Sequence, residues 1–280
     1  MTPEEEEAIR REFEAARSQA QPQQQEPPSF DLNQYSSIDH VIGVVSGKGG
    51  VGKSLGCGML ACELAARGHT VGILDADITG PSIPRMFGMA REHAMGMGDM
   101  IVPVASEGGI KIISANLVLE HEDDPVLWRG PILAGALRQF WAETYWEHLD
   151  YLLVDMPPGT GDVALTVFQS LPIDGVVIVS SPQDLVQMVV GKAVNMAKMM
   201  EVPVVGLVEN MSYLTCPHCG EKIWPYGQSR LQETAAHYGL PVLGQLPIDP
   251  AIADACDRGL AETGLPSGLL TDAVAAIEEL

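Results

Sequence analysis

Gly47-Lys48-Gly49-Gly50-Val51-Gly52-Lys53-Ser54 decides the fold, because it satisfies G-x-x-x-x-G-K-[ST] at a junction where that pattern has physical meaning. An apolar, β-branched run, His40–Val45, leads into it, and a helical pattern, Leu55–Arg67, leads out. At such a junction the glycines let successive backbone N–H groups turn inward around phosphate oxygens at a helix N-terminus. Lys53 is placed to neutralise the β- and γ-phosphates of ATP, and the Ser54 hydroxyl to ligate Mg2+. An ordinary glycine-rich turn is the competing reading, and it requires neither side chain. Lys48 adds a second lysine inside the loop, where phosphate binding alone has no use for one, and this narrows the subclass.

Outward from the loop, carboxylates fall at strand ends. The run Thr70–Leu74 is followed by Asp75-Ala76-Asp77, and Tyr151–Val154 by Asp155-Met156-Pro157-Pro158-Gly159-Thr160-Gly161-Asp162. Open α/β sheets bind ligands at the carboxyl ends of their strands. Asp155 is expected to hold Mg2+, through water, with Asp75 beside the metal, and Asp75 or Asp77 to orient the attacking water. Any one of these alone reads as a turn or cap residue; three of them with a phosphate loop read as a site. Pro157 to Gly161 cannot be helical, and its glycines suit a switch around a γ-phosphate. Asn210, past the run Val204–Val208, offers an amide able to meet both a donor and an acceptor of a purine edge, or simply forms a turn.

The rest of the chain repeats the strand–helix alternation, the pattern of βαβ units and a mainly parallel, doubly wound sheet flanked by helices. Further strands are expected at Ile110–Ser114, Gly175–Val179 and Val242–Gly244, and helices at Pro131–Thr144, Leu185–Met200 and Ser229–Tyr238. Arg85–Met100, rich in methionine and glycine, reads as a pliable excursion. Residues 38–280 therefore form a single P-loop NTPase domain. Residues 1–37, a charged stretch Glu4–Arg17 and a Gln/Pro-rich linker Gln19–Pro28, read as a mobile tail.

Composition limits the partners. The 280 residues are 46% hydrophobic and 19% charged, which fits a globular domain and not a disordered one. A net charge of −21 argues against nucleic acid and anionic membrane surfaces. The start, Met1-Thr2-Pro3 followed by Glu4 to Glu7, has no basic, apolar leader, and a cytoplasmic location is expected.

Of the five cysteines, Cys57, Cys62 and Cys256 read as small buried residues, and only Cys216-Pro217-His218-Cys219-Gly220 has the spacing of a chemical site. A metal knuckle, a redox pair and two inert thiols are all open to it. Its place late in the chain, far from the first strand, speaks against a thioredoxin-type pair. Two thiolates are half of what a tetrahedral Zn2+ or a [4Fe–4S] cluster needs, so two copies of the chain would complete the set.

Taken together, these blocks resemble the deviant Walker A ATPases, and within them the Mrp/ApbC-type iron–sulfur cluster carriers. The resemblance runs from about Ile38 to Leu265. It rests on Gly47–Ser54, on Leu74-Asp75-Ala76-Asp77-Ile78 with Gly80-Pro81-Ser82, and on Trp128-Arg129-Gly130-Pro131. The stretch from Asp155 to Asp162 and Val208-Glu209-Asn210-Met211-Ser212-Tyr213 with the cysteine pair complete it. It implies a nucleotide-dependent homodimer that hydrolyses ATP weakly and passes a labile [4Fe–4S] cluster, held by Cys216 and Cys219 of both chains, to apo iron–sulfur proteins. In that family pattern Lys48 reaches the phosphates of the neighbouring subunit, Asp77 assists the water and Asn210 reads the adenine. The chain departs from the pattern at Leu55, where a second hydroxyl residue is usual, and at Thr79, where an aromatic is common. No cysteine precedes Cys57, so no second cluster site is expected. Two alternatives remain. A ParA/MinD-like positioning ATPase would need a basic patch or a terminal amphipathic helix, which the acidic stretch Leu269 to Leu280 does not supply. A regulatory dimer stapled by Zn2+ would use the same cysteines.

Overall fold

The computed structural model describes residues 31–77, 80, 82–118, 130–182 and 186–280. The expected N-terminal stretch Glu4–Arg17 and linker Gln19–Pro28, residues Ile78, Thr79 and Pro81, the pair Trp128-Arg129 and the helix start at Leu185 lie outside these.

β1 (Ser37–Val45) is the central strand, and its side chains show why. Val41 and Val45 pack into one apolar cluster while Ile42 and Val44 pack into another, so both faces of the strand are buried, as a parallel sheet under two helical layers requires. β2 (Val71–Asp75), β3 (Met95–Met97), β4 (Met100–Val102), β5 (Val104–Ala105), β6 (Lys111–Ser114), β7 (His148–Asp155), β8 (Gly175–Ser180), β9 (Val204–Thr215), β10 (Lys222–Ile223) and β11 (Val242–Pro247) follow. The nine-stranded sheet runs β10-β9-β8-β1-β7-β2-β6-β5, with β11 also paired to β9. Pairing is parallel except for β5 on β6 and β10 on β9. Every expected strand lies within or overlaps an observed one, and the order is that of a doubly wound sheet.

Among the described residues, the helices of eight residues or more are α1 (Lys53–Ala66), α2 (Gly130–Arg138), α3 (Asp162–Ser170), α4 (Val186–Met199), α5 (Leu231–Tyr238), α6 (Pro250–Asp257) and α7 (Thr271–Glu278). Leu133, Leu137, Val167, Val190, Val194 and Leu231 of α2 to α5 join the cluster around Val41, whereas Leu60 and Leu64 of α1 and Val274 and Ile277 of α7 join the one around Ile42. α7 is tied down by a buried bond, from the backbone N–H of Leu270 to Glu63 Oε1 of α1 at 3.0 Å. Among the described residues no helix is long and apolar enough to cross a membrane.

Two expectations need correction. Arg85–Met100 is not one pliable excursion: Met86, Phe87 and Met89 are buried in the core, and only the β3–β4 hairpin beyond them exposes Met95 and Met97. The helix expected to reach Thr144 is α-helical only to Arg138 and continues as a π-helical turn, Gln139–Glu143, before Thr144 becomes extended. The wider turn lets the adjacent aromatics Phe140 and Trp141 both face inward.

Candidate functional site

Strand register assembles the phosphate site. Val44 of β1 lies opposite Asp155 of β7, and Asp155 lies opposite Asp75 of β2, so the loop leaving β1 starts beside two carboxylates. Gly52 caps α1 in the left-handed region, φ 82°, and a Cβ there would sit 2.0 Å from Asn210 Nδ2. A Cβ on Gly47 would sit 2.1 Å from the Val189 carbonyl oxygen of α4. These two positions admit glycine for steric reasons: one for its backbone, both for close approach.

Lys53 begins α1 and is buried. Its Nζ lies 2.5 Å from Asp155 Oδ1 and 3.7 Å from Asp77 Oδ2. The Ser54 hydroxyl donates to Asp155 Oδ2 at 2.5 Å. Asp75 accepts from the Ser114 hydroxyl at 3.1 Å and from the Asp77 backbone N–H at 3.1 Å. Lys53, Ser54, Asp75, Asp77 and Asp155 thus converge as expected, and Ser114 is a member that strand-end reading missed.

The charges are mutually adjusted. Burial pushes the Asp75 carboxyl well up, and the neighbouring Asp155 adds to the push. Burial also raises Asp155, against the pull of the Lys53 ammonium. For Lys53, burial acts to lower the pKa, but attraction to Asp155, its hydrogen bond, and Asp77 and Asp75 outweigh it and hold the ammonium above its ordinary value. A buried ammonium at a helix N-terminus is suited to an anion such as phosphate, which would take the place of its carboxylate partners.

A cavity of about 370 Å3 opens over these groups, walled by Gly49, Gly50, Pro158, Arg85, Cys256 and Asp257 in addition to Lys53 and Ser54. Arg85, Cys256 and Asp257 come from segments far along the chain, and no local spacing announces them. The donor set beside the cavity, a hydroxyl and two buried carboxylates, is all hard oxygen and fits Mg2+. Lys48 is half-buried in the loop, and its carbonyl accepts from the Ser46 hydroxyl at 2.9 Å.

Asn210 is buried against the loop: its Nδ2 donates to the Val51 carbonyl at 3.0 Å and its Oδ1 accepts from the Met211 N–H at 2.8 Å. In this arrangement both ends of the amide hold the protein together. Met211 stands at φ 56°, left-handed for a residue that is not glycine. Beside it Glu209, fully buried, accepts from the Ser212 hydroxyl at 2.6 Å and from Gln245 Nε2 at 3.2 Å. This polar group in the middle of β9 was invisible in the sequence.

Cys216 directly follows β9, so the cysteine pair lies beyond the carboxyl end of the strand that carries Asn210. Cys216 is half-buried and Cys219 exposed. The Cys216 N–H donates to the Glu221 carbonyl and the Gly220 N–H to the Cys216 carbonyl, both at 2.9 Å, closing a tight loop with Gly220 at φ 75°. The backbone N–H of Cys219, then that of His218, hydrogen-bond the Cys216 sulfur and lower its pKa. Amides turned onto a sulfur favour its thiolate form. Cys57 is buried, as expected; Cys62 and Cys256 are half-buried.

Comparison with known proteins agrees with this geometry. A family model described as NUBPL iron-transfer P-loop NTPase, of the ParA group, matches residues 37–277. An iron–sulfur cluster carrier protein of Clostridium perfringens is 52% identical over 235 residues, 81% of this chain and 82% of that protein. Among solved structures, a nucleotide-binding protein of Archaeoglobus fulgidus in complex with ADP, with Co found in it, is 41% identical; the match covers 82% of this chain and 90% of that one, with a TM-score of 0.74. The cell division ATPase MinD of Pyrococcus furiosus is 19% identical with a TM-score of 0.59, covering 86% of this chain and 99% of that one, a likeness of fold alone.

Proposed function

This chain belongs to the iron-transfer P-loop NTPases, the family of the iron–sulfur cluster carriers, and from that premise we propose that it binds and hydrolyses ATP with Mg2+ and carries a labile [4Fe–4S] cluster to apo iron–sulfur proteins as a homodimer. One observation carries the reading: a phosphate site with a buried Lys53–Asp155 pair and an accessible, amide-supported cysteine pair are served by the same end of one sheet.

Each residue's part follows from its place. The amides of Gly47 to Ser54 receive the phosphates, and Lys53 exchanges Asp155 for them as its counter-charge. Ser54, Asp155 and Asp75 hold Mg2+, which when bound neutralises charge building on the phosphate oxygens. Asp77, 3.7 Å from Lys53, orients the attacking water. Lys48 serves the phosphates of the second subunit, and Asn210, expected to read the adenine, instead spends both ends of its amide on Val51 and Met211 and holds the phosphate loop in place.

Cys216 and Cys219 hold the cargo. One chain supplies two thiolates, a [4Fe–4S] cluster takes four, and a two-fold axis brings the same patch of both chains together. A cluster bridged at such an axis stays accessible to solvent, which suits delivery. Anaerobic reconstitution followed by iron, sulfide and light-scattering mass on one sample tests this. One cluster of four irons per dimer is expected, lost on Cys216→Ser or Cys219→Ser with ATP binding retained. Four irons per monomer overturns the bridged arrangement, and one zinc per dimer without sulfide hands the cysteines to a structural role.

A further inference from the structure

β9 is out of step with its neighbour β11. Leu207 and Glu209 pair with Val242 and Gln245, but Tyr213 pairs with Pro247, so β9 spends four residues from Glu209 to Tyr213 where β11 spends two from Gln245 to Pro247. The surplus is a bulge at Asn210–Ser212, and its backbone is the left-handed Met211. Such a conformation is disfavoured for a side chain with a Cβ and persists only where its surroundings hold it. Here they are the Asn210 Oδ1 bond to the Met211 N–H and the Ser212 hydroxyl bond to buried Glu209. The second oxygen of that carboxylate, Oε1, is buried with no hydrogen-bond partner, so the bulge is imperfectly satisfied as it stands.

Both ends of this bulge are attached to something. On one side Asn210 Nδ2 is bonded to the carbonyl of Val51, a residue of the phosphate loop. On the other, Tyr213 packs edge-on against Trp224 at 5.8 Å, and Lys222 Nζ sits 3.9 Å from the centre of the Tyr213 ring. Leu214 and Thr215 pair with Ile223 and Lys222 of β10, and Cys216 closes onto Glu221. The segment 213–224 that presents Cys216 and Cys219 is therefore built on the residues immediately beyond the bulge. Unwinding Met211 to an extended conformation would lengthen β9 and slide Tyr213 and that segment along β11.

We propose that this bulge is a two-position latch coupling the phosphate loop to the cysteine pair, with Asn210 as the positioning residue and Met211 as the hinge. Filling the loop with nucleotide moves the Val51 carbonyl, the Asn210 amide follows it, and the bulge transmits the change to Cys216 and Cys219. The inference rests on the reading of this chain as a nucleotide-binding carrier, and it adds how one site knows the state of the other. A discrete element that both sites bias is the physical requirement for such coupling.

The test uses the full chain, freed of metal by chelation, with iodoacetamide labelling of Cys216 and Cys219 followed peptide by peptide by mass spectrometry, with and without ATP·Mg. In the parent the labelling rates should differ by about fivefold between the two states, the low end of ordinary coupling between sites. Met211→Gly removes the Cβ penalty of the left-handed backbone and should hold the bulge, shrinking the difference below about twofold and, because coupling is reciprocal, weakening calorimetric ATP·Mg affinity by no more than about fivefold. Met211→Val, β-branched and averse to that conformation, should act in the opposite sense and bring the nucleotide-free rate to that of the ATP-bound parent. A merely structural role for Met211 would not give effects of opposite sign. ATP·Mg binding with no change at either cysteine, or an undiminished response in both variants, overturns this inference alone. Failure of the parent to bind ATP·Mg overturns the functional reading and this inference with it.

Discussion

Lys53 Nζ and Asp155 Oδ1 stand 2.5 Å apart, both buried, the lysine opening α1 and the aspartate closing β7. Each is the other's counter-charge inside the fold, so removing one strands the other. Lys53→Ala should cost about 3–5 kcal/mol of stability, the usual loss when one member of a buried pair is left alone. Lys53→Ala with Asp155→Asn should recover part of that loss, yet neither protein should bind ATP·Mg. Thermal melts and isothermal titration check the two halves, and Lys53→Ala binding ATP·Mg like the parent would remove the phosphate-site assignment.

Asp77 and Asp155 are expected to part company kinetically. A residue that orients water acts on the transition state more than on bound substrate, so Asp77→Asn should lower kcat by about 100-fold with little change in KM. Asp155→Asn should instead raise the Mg2+ concentration needed for half-maximal rate. A Mg2+ titration in which the two variants coincide refutes the division of labour.

Lys48→Ala should leave ATP·Mg affinity near the parent value and abolish turnover, because this lysine is proposed to work on the partner's phosphates. Mixing Lys48→Ala protein with Asp77→Asn protein gives a direct check. Hybrid dimers pair one intact water-orienting Asp77 with the other chain's Lys48 and should regain part of the rate. Unchanged turnover in Lys48→Ala alone ends the trans-acting role.

Asp75 should set a pH dependence of stability. Burial raises its folded-state pKa well above the unfolded value of about 3.9, so the folded protein holds the proton more tightly than the unfolded chain. Its contribution is fully present below the unfolded pKa and is lost as pH rises through the folded one. Asp75→Asn carries no charge to bury. Its melting temperature, measured without nucleotide, should match the parent at pH below about 4 and exceed it increasingly toward neutrality, by about 2–4 °C per kcal/mol relieved. A gap that shrinks with rising pH contradicts the assigned environment.

The thiols should separate by reactivity. Amide N–H groups from Cys219 and His218 lower the Cys216 pKa, whereas burial, with Glu262 adding to it, pushes Cys62 up to about 12. Near pH 7, iodoacetamide should label Cys216 well before Cys62 in the metal-free protein, since only thiolate reacts. Labelling in the reverse order contradicts the amide-supported loop.

What the sequence revealed was local, and what it hid was assembled across distance. Gly47 to Ser54 is contiguous, and Asp75, Asp77 and Asp155 each end an apolar run, so one strand-end rule finds them all. Cys216 and Cys219 declare themselves by spacing. Ser114, Arg85 and Cys256 do not, because they reach the site only through sheet register and helix packing. β9 is the clearest case. Its polar Glu209-Asn210 ended the expected strand at Val208, but the observed strand continues to Thr215, since Ser212 and Gln245 satisfy one side of Glu209 and Val51 and Met211 satisfy Asn210. A buried polar cluster that pairs with itself reads, residue by residue, as a loop.

The position of β1 between β7 and β8 also bears on how the molecule is made. The ribosome releases the phosphate loop early, but Ser54 meets its partner Asp155 only after a separation of 101 residues. Until then β1 has no strand to pair with, and its Val41 face waits for helices not yet synthesised, while α1 alone can cover part of its Ile42 face. Cys216 emerges later still. The central strand therefore gains its first partner only when the chain has reached β7, and the segment that carries the cysteines joins a sheet already begun.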